Sequence, residues 1–424
     1  MMGVESAGLL DWVGLENVGP ADRLELSFAP RVNLFTGDNG LGKSFLLEVA
    51  WWALIGTWPG KPAMARSDHA AGVLQYRRGE EASPFRQVIG KRPARREKPA
   101  VEVDVGIFIA ANGDATLHVN GGDPVIAIHD SRNDIESFGG TTSVGVQSNE
   151  VFDGMRQPSK RKSFQGLIAE WVPWQYKKDS DFDVFRNLIE QLSPEREPIR
   201  LGEPKRIDAR DGRLIPCLIL PYGDVPITHA SAGMRRIVAL AYLMVWAVRE
   251  HRFLSGNRSS KPINLALFID EIEAHLHPAW QRLILPALMK ALEALPVPVK
   301  AQIFVTTHSP MVMASTEPLC ADPDDGLFLF DLEAGKVRLT RQLWEKYGDA
   351  SAWLQSDLFG LGEARSKPAE ELVQEIGEIK DIGALSDKDF KALDERVVTL
   401  LPDPSQDMFR ARWMVWKLKR EGGL

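Results

Sequence analysis

Gly37-Asp38-Asn39-Gly40-Leu41-Gly42-Lys43-Ser44 satisfies G-x-x-x-x-G-K-[ST] at every fixed position, and it stands between two apolar segments. No other feature constrains the fold as strongly. The glycines let the backbone curl so that successive N–H groups point inward at a polyphosphate. Val32-Asn33-Leu34-Phe35 reads as a buried strand entering the loop, and Phe45 to Trp52 as a core helix leaving it. A helix starting near Lys43 turns its positive dipole end toward the phosphates. In such a loop Gly37, Asn39, Gly40 and Gly42 shape the cradle. Lys43 reaches the β- and γ-phosphates, and the Ser44 hydroxyl ligates Mg²⁺. The loop by itself therefore predicts a nucleotide polyphosphate with Mg²⁺.

A parallel sheet built from such strand–loop–helix units needs further buried strands, and the chain supplies them. Leu265-Ala266-Leu267-Phe268-Ile269 is continuously apolar, as a central parallel strand covered on both faces must be, and it ends in Asp270-Glu271. Acidic residues at the carboxyl end of such a strand face the ligand crevice. Asp270 is placed to hold Mg²⁺ and Glu271 to polarise an attacking water. Gln302 to Thr306 is a second such strand, ending in Thr307-His308-Ser309-Pro310. An imidazole at His308 can donate a hydrogen bond to a γ-phosphate. Thr228 to Arg236 leads into a long apolar helix. There Ser231 is a good N-cap, and Gly233 opens the first turn to close backbone approach.

Elsewhere the patterns alternate. Leu24 to Phe28 reads as a half-buried strand. Val101 to Val105 and Ala115 to Val119 flank Asn112-Gly113, a hairpin signal suggesting an antiparallel lobe beside the core. Residues 155 to 195 read as helical and aromatic, and Pro198–Asp208 with Leu214–Leu220 as another β pair. Two cysteines give no disulfide framework, so a reducing cytoplasm is the simplest location. The apolar run from Ile237 to Val248 is too short to span a bilayer. A net charge of −7 argues against a chain coated in nucleic acid. The clusters Lys91–Arg96 and Lys160–Lys162 are either solvated loops or local phosphate contacts.

Taken together, these motifs resemble the ATPase heads of the ABC superfamily, in the RecF/OLD-like branch that includes many prokaryotic defence ATPases. GDNGLGKS matches Walker A, LALFIDE Walker B with its catalytic glutamate, SAGMRR a shortened signature motif, and TTHSP the switch-histidine loop. EAHLHPAWQ is similar to a segment common in this branch. The resemblance implies an α/β P-loop fold: a mainly parallel core sheet, an antiparallel β-lobe, a helical insertion and a small helical C-terminal extension. The expected head covers 1–340, with lobe and insertion at about 60–225, and the extension 341–424. It implies ATP bound between two subunits, with Ser231 and Gly233 acting in trans, and Lys43, Ser44, Asp270, Glu271 and His308 in cis. Gln147 is the candidate for a glutamine joining Mg²⁺ to the lobe. Ala232 stands where a glycine is often seen in signature motifs, and no coiled-coil arm interrupts the head.

His275 and His277, two residues apart without a third ligand, suit structural or interface use better than metal binding. Asp322-Pro323-Asp324-Asp325 reads as an acidic turn, and no nuclease centre is visible. The segment from Ser351 to Gly360 resembles the C-terminal part of Septu- and retron-associated defence ATPases, which typically act beside a separate effector such as a nuclease. Phe409, Trp413 and Trp416 share one stripe of a terminal helix, available for a partner or for packing on the head. The expected function is a Mg-dependent ATPase, homodimeric or a higher even-numbered assembly, controlling an effector in anti-phage defence. A RecF-like repair ATPase contacting DNA or RNA, and a non-catalytic ATP-stabilised scaffold, are the alternatives.

Overall fold

The computed structural model describes residues 8–67, 70–78, 84–89, 103–120, 136–138, 141–155, 164–196, 198–255, 262–361, 365–379, 384–404 and 407–420. Both basic clusters and residues 101–102 lie outside them. The chain divides into two compact units, Met1–Ala350 and Ser351–Leu424.

The first unit opens with the antiparallel pair β1 (Trp12–Val18) and β2 (Ala21–Ser27). Next, β3 (Val32–Gly37) runs through the glycine loop into α1 (Lys43–Ile55). With β4 (Val73–Arg77) and β5 (Phe85–Val88), the first pair forms a four-stranded antiparallel sheet. After β6 (Val105–Ile109), β7 (Ala115–Asn120), β8 (Glu136–Phe138) and β9 (Thr141–Val146) come α2 (Ser148–Asp153), α3 (Leu167–Lys177) and α4 (Ser180–Gln191). A small antiparallel sheet holds β10 (Arg200–Leu201), β11 (Cys217–Leu220) and β12 (Gly223–Pro226). The unit continues with α5 (Ala232–Leu254), β13 (Ile263–Ile269), α6 (Pro278–Gln281) and α7 (Ile284–Glu293). It ends with β14 (Val299–Thr306), α8 (Pro310–Thr316), β15 (Asp325–Glu333) and β16 (Lys336–Gln342).

A nine-stranded mixed sheet, ordered β16-β15-β3-β14-β13-β6-β7-β9-β8, is the core. Its centre, β15-β3-β14-β13-β6, is parallel. The apolar run in β13 is buried on both faces. Ala266 and Phe268 belong to the cluster around α1, where Trp51 meets the Phe108 and Phe268 rings edge-on. Leu265 and Leu267 point the other way and are equally buried, while α5 packs against β6 and β7. Stacking of Phe268 on Phe304, with ring centroids 4.4 Å apart, fixes neighbouring strands side by side.

The hairpin belongs to this core sheet rather than to a lobe beside it. β6 pairs parallel with β13 from Val105–Leu265 to Ile109–Ile269, and β7 and β9 extend the same sheet antiparallel. Its inner strand is fully buried, so the alternation read over 101–105 ends where the strand begins. The separate antiparallel sheet is built from β1, β2, β4 and β5. In the helical segment Trp171 and Trp174 both meet Phe185 edge-on. Asp325, in the acidic turn, is fully buried and ion-paired to Arg31, which ties the start of β15 to that of β3.

The second unit begins within α9 (Ala350–Gln355) and holds α10 (Lys367–Gly377), α11 (Asp387–Leu400) and α12 (Met408–Arg420). Its core joins Leu372, Ile376, Phe390, Val397 and Trp413. Trp413 stacks on Phe390 and donates its indole N–H to Asp394 at 2.9 Å. Phe409 and Trp416 pack against the same cluster. The aromatic stripe therefore serves this small unit's own core.

Candidate active site

One register line fixes the site. Leu327, Leu34, Val305, Ile269, Ile109, Ala115 and Val146 are paired in sequence across seven strands. Just past that line, at the carboxyl edge of the parallel strands, come the glycine loop, Thr307-His308-Ser309, and Asp270-Glu271.

Gly37 has φ 122°, and a Cβ there would meet the Phe330 carbonyl oxygen at 2.0 Å. Only glycine fits at that point. Gly40, at φ 77° with no atom within 4 Å of where a Cβ would stand, crowns an open loop. Asp38, Asn39, Gly40 and Ser44 are exposed, whereas Lys43 is buried. Its ammonium donates to the Gly37 and Asp38 carbonyls at 2.8 and 2.7 Å. Burial pushes the Lys43 ammonium below the ordinary lysine range, against the pull of Asp270, Asp38, Glu271 and Glu273.

Asp270 is almost fully buried. Its Oδ1 accepts the Thr306 hydroxyl at 2.7 Å, and the same hydroxyl oxygen accepts the Glu271 N–H at 2.7 Å. Glu271 has φ 48°, in the left-handed region that costs a non-glycine residue about 1–2 kcal/mol. Burial, and then the charge of Asp270, raises the Glu48 carboxyl on α1, one turn beyond Ser44. His308 is lowered first by burial and then by Lys43, against Glu273, Glu271 and Asp270. A neutral imidazole at neutral pH follows.

Arg236, in the first turns of α5, donates to the carbonyls of Ala111, Asp270 and Glu271 at 2.8, 2.9 and 3.0 Å. The start of α5 is thus fastened to the Asp270-Glu271 strand end. Ser231 caps α5 through the Met234 N–H and is exposed. Gly233 lies so close to the His275 carbonyl that a Cβ would stand 2.7 Å from its oxygen.

Lys43, Asp270, Glu271 and His308 are thus brought into one charged cluster, with Ser44 at the start of α1. Gln147 follows β9 on the same edge, but β6 and β7 intervene between β9 and β13. At ~4.8 Å per strand, it stands roughly 14 Å from Asp270 along the sheet. Its backbone N–H donates to Glu150 at 3.0 Å, capping α2. His275 and His277 are exposed, and His277 accepts the Ala279 N–H to cap α6. Among the described residues no group of three His, Cys, Asp or Glu is arranged to hold a metal. The donor set does fit Mg²⁺: a hydroxyl oxygen at Ser44 and a buried carboxylate at Asp270, with nucleotide phosphate and water as the remaining ligands.

The sequence reading missed Thr306, Glu273 and Arg236 as site residues. Thr306 ends the apolar run Ile303-Phe304-Val305 with a hydroxyl, which was its signal. Arg236 was legible only as a basic residue one turn into a helix.

Residues 166–314 match the family described as "AAA domain, putative AbiEii toxin, Type IV TA system". Septu protein PtuA of Bacillus thuringiensis is 27% identical over 158 residues, 36% of this chain and 37% of that protein. The protein named "Retron Ec83 probable ATPase" of Escherichia coli is 29% identical over 161 residues, 38% of this chain and 26% of that one. Over little more than a third of its length the chain is thus similar to a Septu protein and to a retron protein named as a probable ATPase. The matched region spans only about a third and a quarter of these two relatives. Among solved structures, the SMC head domain from Thermotoga maritima aligns at 14% identity, covering 78% of this chain and 98% of that one, with a TM-score of 0.34. A RecF structure aligns at 12% identity over 79% of this chain and 99% of that one, with a TM-score of 0.35. The α/β P-loop fold follows from the parallel centre of the sheet and from the glycine loop between β3 and α1. Among the described residues no helix is long and apolar enough to cross a membrane.

Proposed function

We propose that this chain is a Mg-dependent ATPase that closes as a homodimer on ATP and controls a separately encoded effector in anti-phage defence. The observation that carries the reading is the gathering of Lys43, Asp270, Glu271 and His308 at the carboxyl edge of the parallel sheet. Residues 37–44 and the start of α1 would hold the triphosphate, and Ser44 and Asp270 the metal. Mg²⁺, when bound, would neutralise charge on the phosphates. Glu271 would accept a proton from the attacking water, with its backbone fixed by Thr306 and Arg236. The neutral His308 imidazole would donate toward the γ-phosphate. Exposed Ser231 and the adjoining turn of α5 would complete the partner subunit's site, so one subunit alone would lack part of its own.

The defence role rests on the similarity to the Septu and retron proteins, and the 341–424 region would be the surface an effector meets. Glu271→Gln tests the catalytic assignment. It should preserve ATP binding and abolish turnover, and hydrolysis at the wild-type rate would show that the assignment is wrong.

A further inference from the structure

The proposed function leaves the segment from Glu273 to Gln281 without a task, yet both of its ends reach the His308 loop. Glu273 Oε2 accepts the Thr307 hydroxyl at 2.8 Å, and its Oε1 accepts the His308 backbone N–H at 2.5 Å. Gln281 Oε1 accepts the Ser309 hydroxyl at 2.7 Å, while its Nε2 donates to the Leu276 carbonyl at 2.9 Å. Three consecutive residues, 307 to 309, are therefore held by two side chains of one neighbouring segment. Thr307 and Ser309 are buried while Glu273, Gln281 and His308 are half-buried, so these bonds are partly shielded from competing water. A hydrogen bond to a carboxylate is stronger than one between neutral groups.

From this geometry we infer that Glu273 and Gln281 are positioning residues for His308, a two-point clasp joining the end of the Asp270-Glu271 strand to the switch loop. The inference rests on the reading of His308 as the residue facing the γ-phosphate. Holding the His308 N–H fixes the backbone from which its side chain springs. The ring is thereby set relative to Glu271, whose own N–H hangs from Thr306. A displacement of about 1 Å in such a group can cost roughly 100-fold in rate. Neither Glu273 nor Gln281 needs to touch nucleotide.

The test uses the full chain with Mg·ATP and the variants Glu273→Ala, Glu273→Gln, Gln281→Ala, His308→Ala and the Glu273→Ala/His308→Ala pair. Glu273→Ala should lower kcat at least about tenfold with KM changed less than about threefold. Glu273→Gln, which keeps an acceptor for Thr307, should recover part of the loss, and Gln281→Ala should lose less. The double variant should be no slower than the slower single variant. Losses that multiply in the pair overturn the clasp, because Glu273 would then act independently of His308. His308→Ala at the wild-type rate instead overturns the reading beneath the proposal. A second readout is free of turnover: the His308 amide should exchange with deuterium at least about tenfold faster in Glu273→Ala. Unchanged exchange overturns the clasp whatever the kinetics.

Discussion

Thr306→Val removes a single hydroxyl in a nearly isosteric side chain, and the structure lets its consequence be sized. Thr306 is fully buried at the end of β14. Its hydroxyl makes two bonds of 2.7 Å, donating to Asp270 and accepting from the Glu271 N–H. A bond to a charged group contributes about 1.5–3 kcal/mol, and a buried N–H left without an acceptor costs about 1–3 kcal/mol. The substitution should therefore destabilise the chain by about 4 kcal/mol, read as a lowered urea midpoint. Turnover should fall separately. The Thr306 bond offsets the roughly 1–2 kcal/mol that Glu271 spends at positive φ. Without it, the population holding Glu271 in place should drop about 5- to 30-fold. Steady-state ATPase assays measure this, with Thr306→Ser as control, since serine keeps both bonds. If Thr306→Val matched wild type in urea midpoint and kcat, the two bonds would carry neither stability nor alignment.

Gly233→Ala should cost about 1–3 kcal/mol, because its Cβ would press on the His275 carbonyl oxygen at 2.7 Å. Gly212→Ala, with nothing within 4 Å of its Cβ, is the control, and equal urea midpoints for the two would refute the close approach. Glu170 supplies a pH prediction. Burial pushes its carboxyl from 4.5 up to about 7, against the lowering effects of the Tyr242 hydrogen bond and Arg249. The folded chain then holds a proton that the unfolded chain has released, so this group's contribution is complete below about pH 4.5 and lost as pH rises through about 7. The loss should total about 3 kcal/mol. Glu170→Gln, which can still accept from Tyr242, should flatten that slope and exceed wild type in stability at about pH 8. Parallel pH profiles would contradict it.

The glycine loop, the Asp270-Glu271 strand and the His308 loop were legible because each is a local string. Special residues there interrupt an apolar run at its carboxyl end, where a parallel sheet opens its crevice. The contacts that hold those residues were not. Thr306 and Glu271 are 35 positions apart, and Arg236 reaches Asp270 across 34. No periodicity encodes a meeting of that kind; it follows from which strands lie adjacent. The hairpin shows the same boundary. Its turn was visible in Asn112-Gly113, but whether it built a lobe or widened the core depended on β6 pairing with β13, some 160 residues later. In α12 the aromatic stripe was readable, and its burial against α10 and α11 was not, because an exposed and a buried stripe have the same spacing.

In the proposed mechanism, ATP would complete a site shared by two subunits. The most direct test is the solution mass of Glu271→Gln, measured by light scattering with and without Mg·ATP. Mg·ATP should double the mass, and Ser231→Ala should weaken the dimer while leaving ATP bound. Saturation with ATP at an unchanged monomer mass would contradict it.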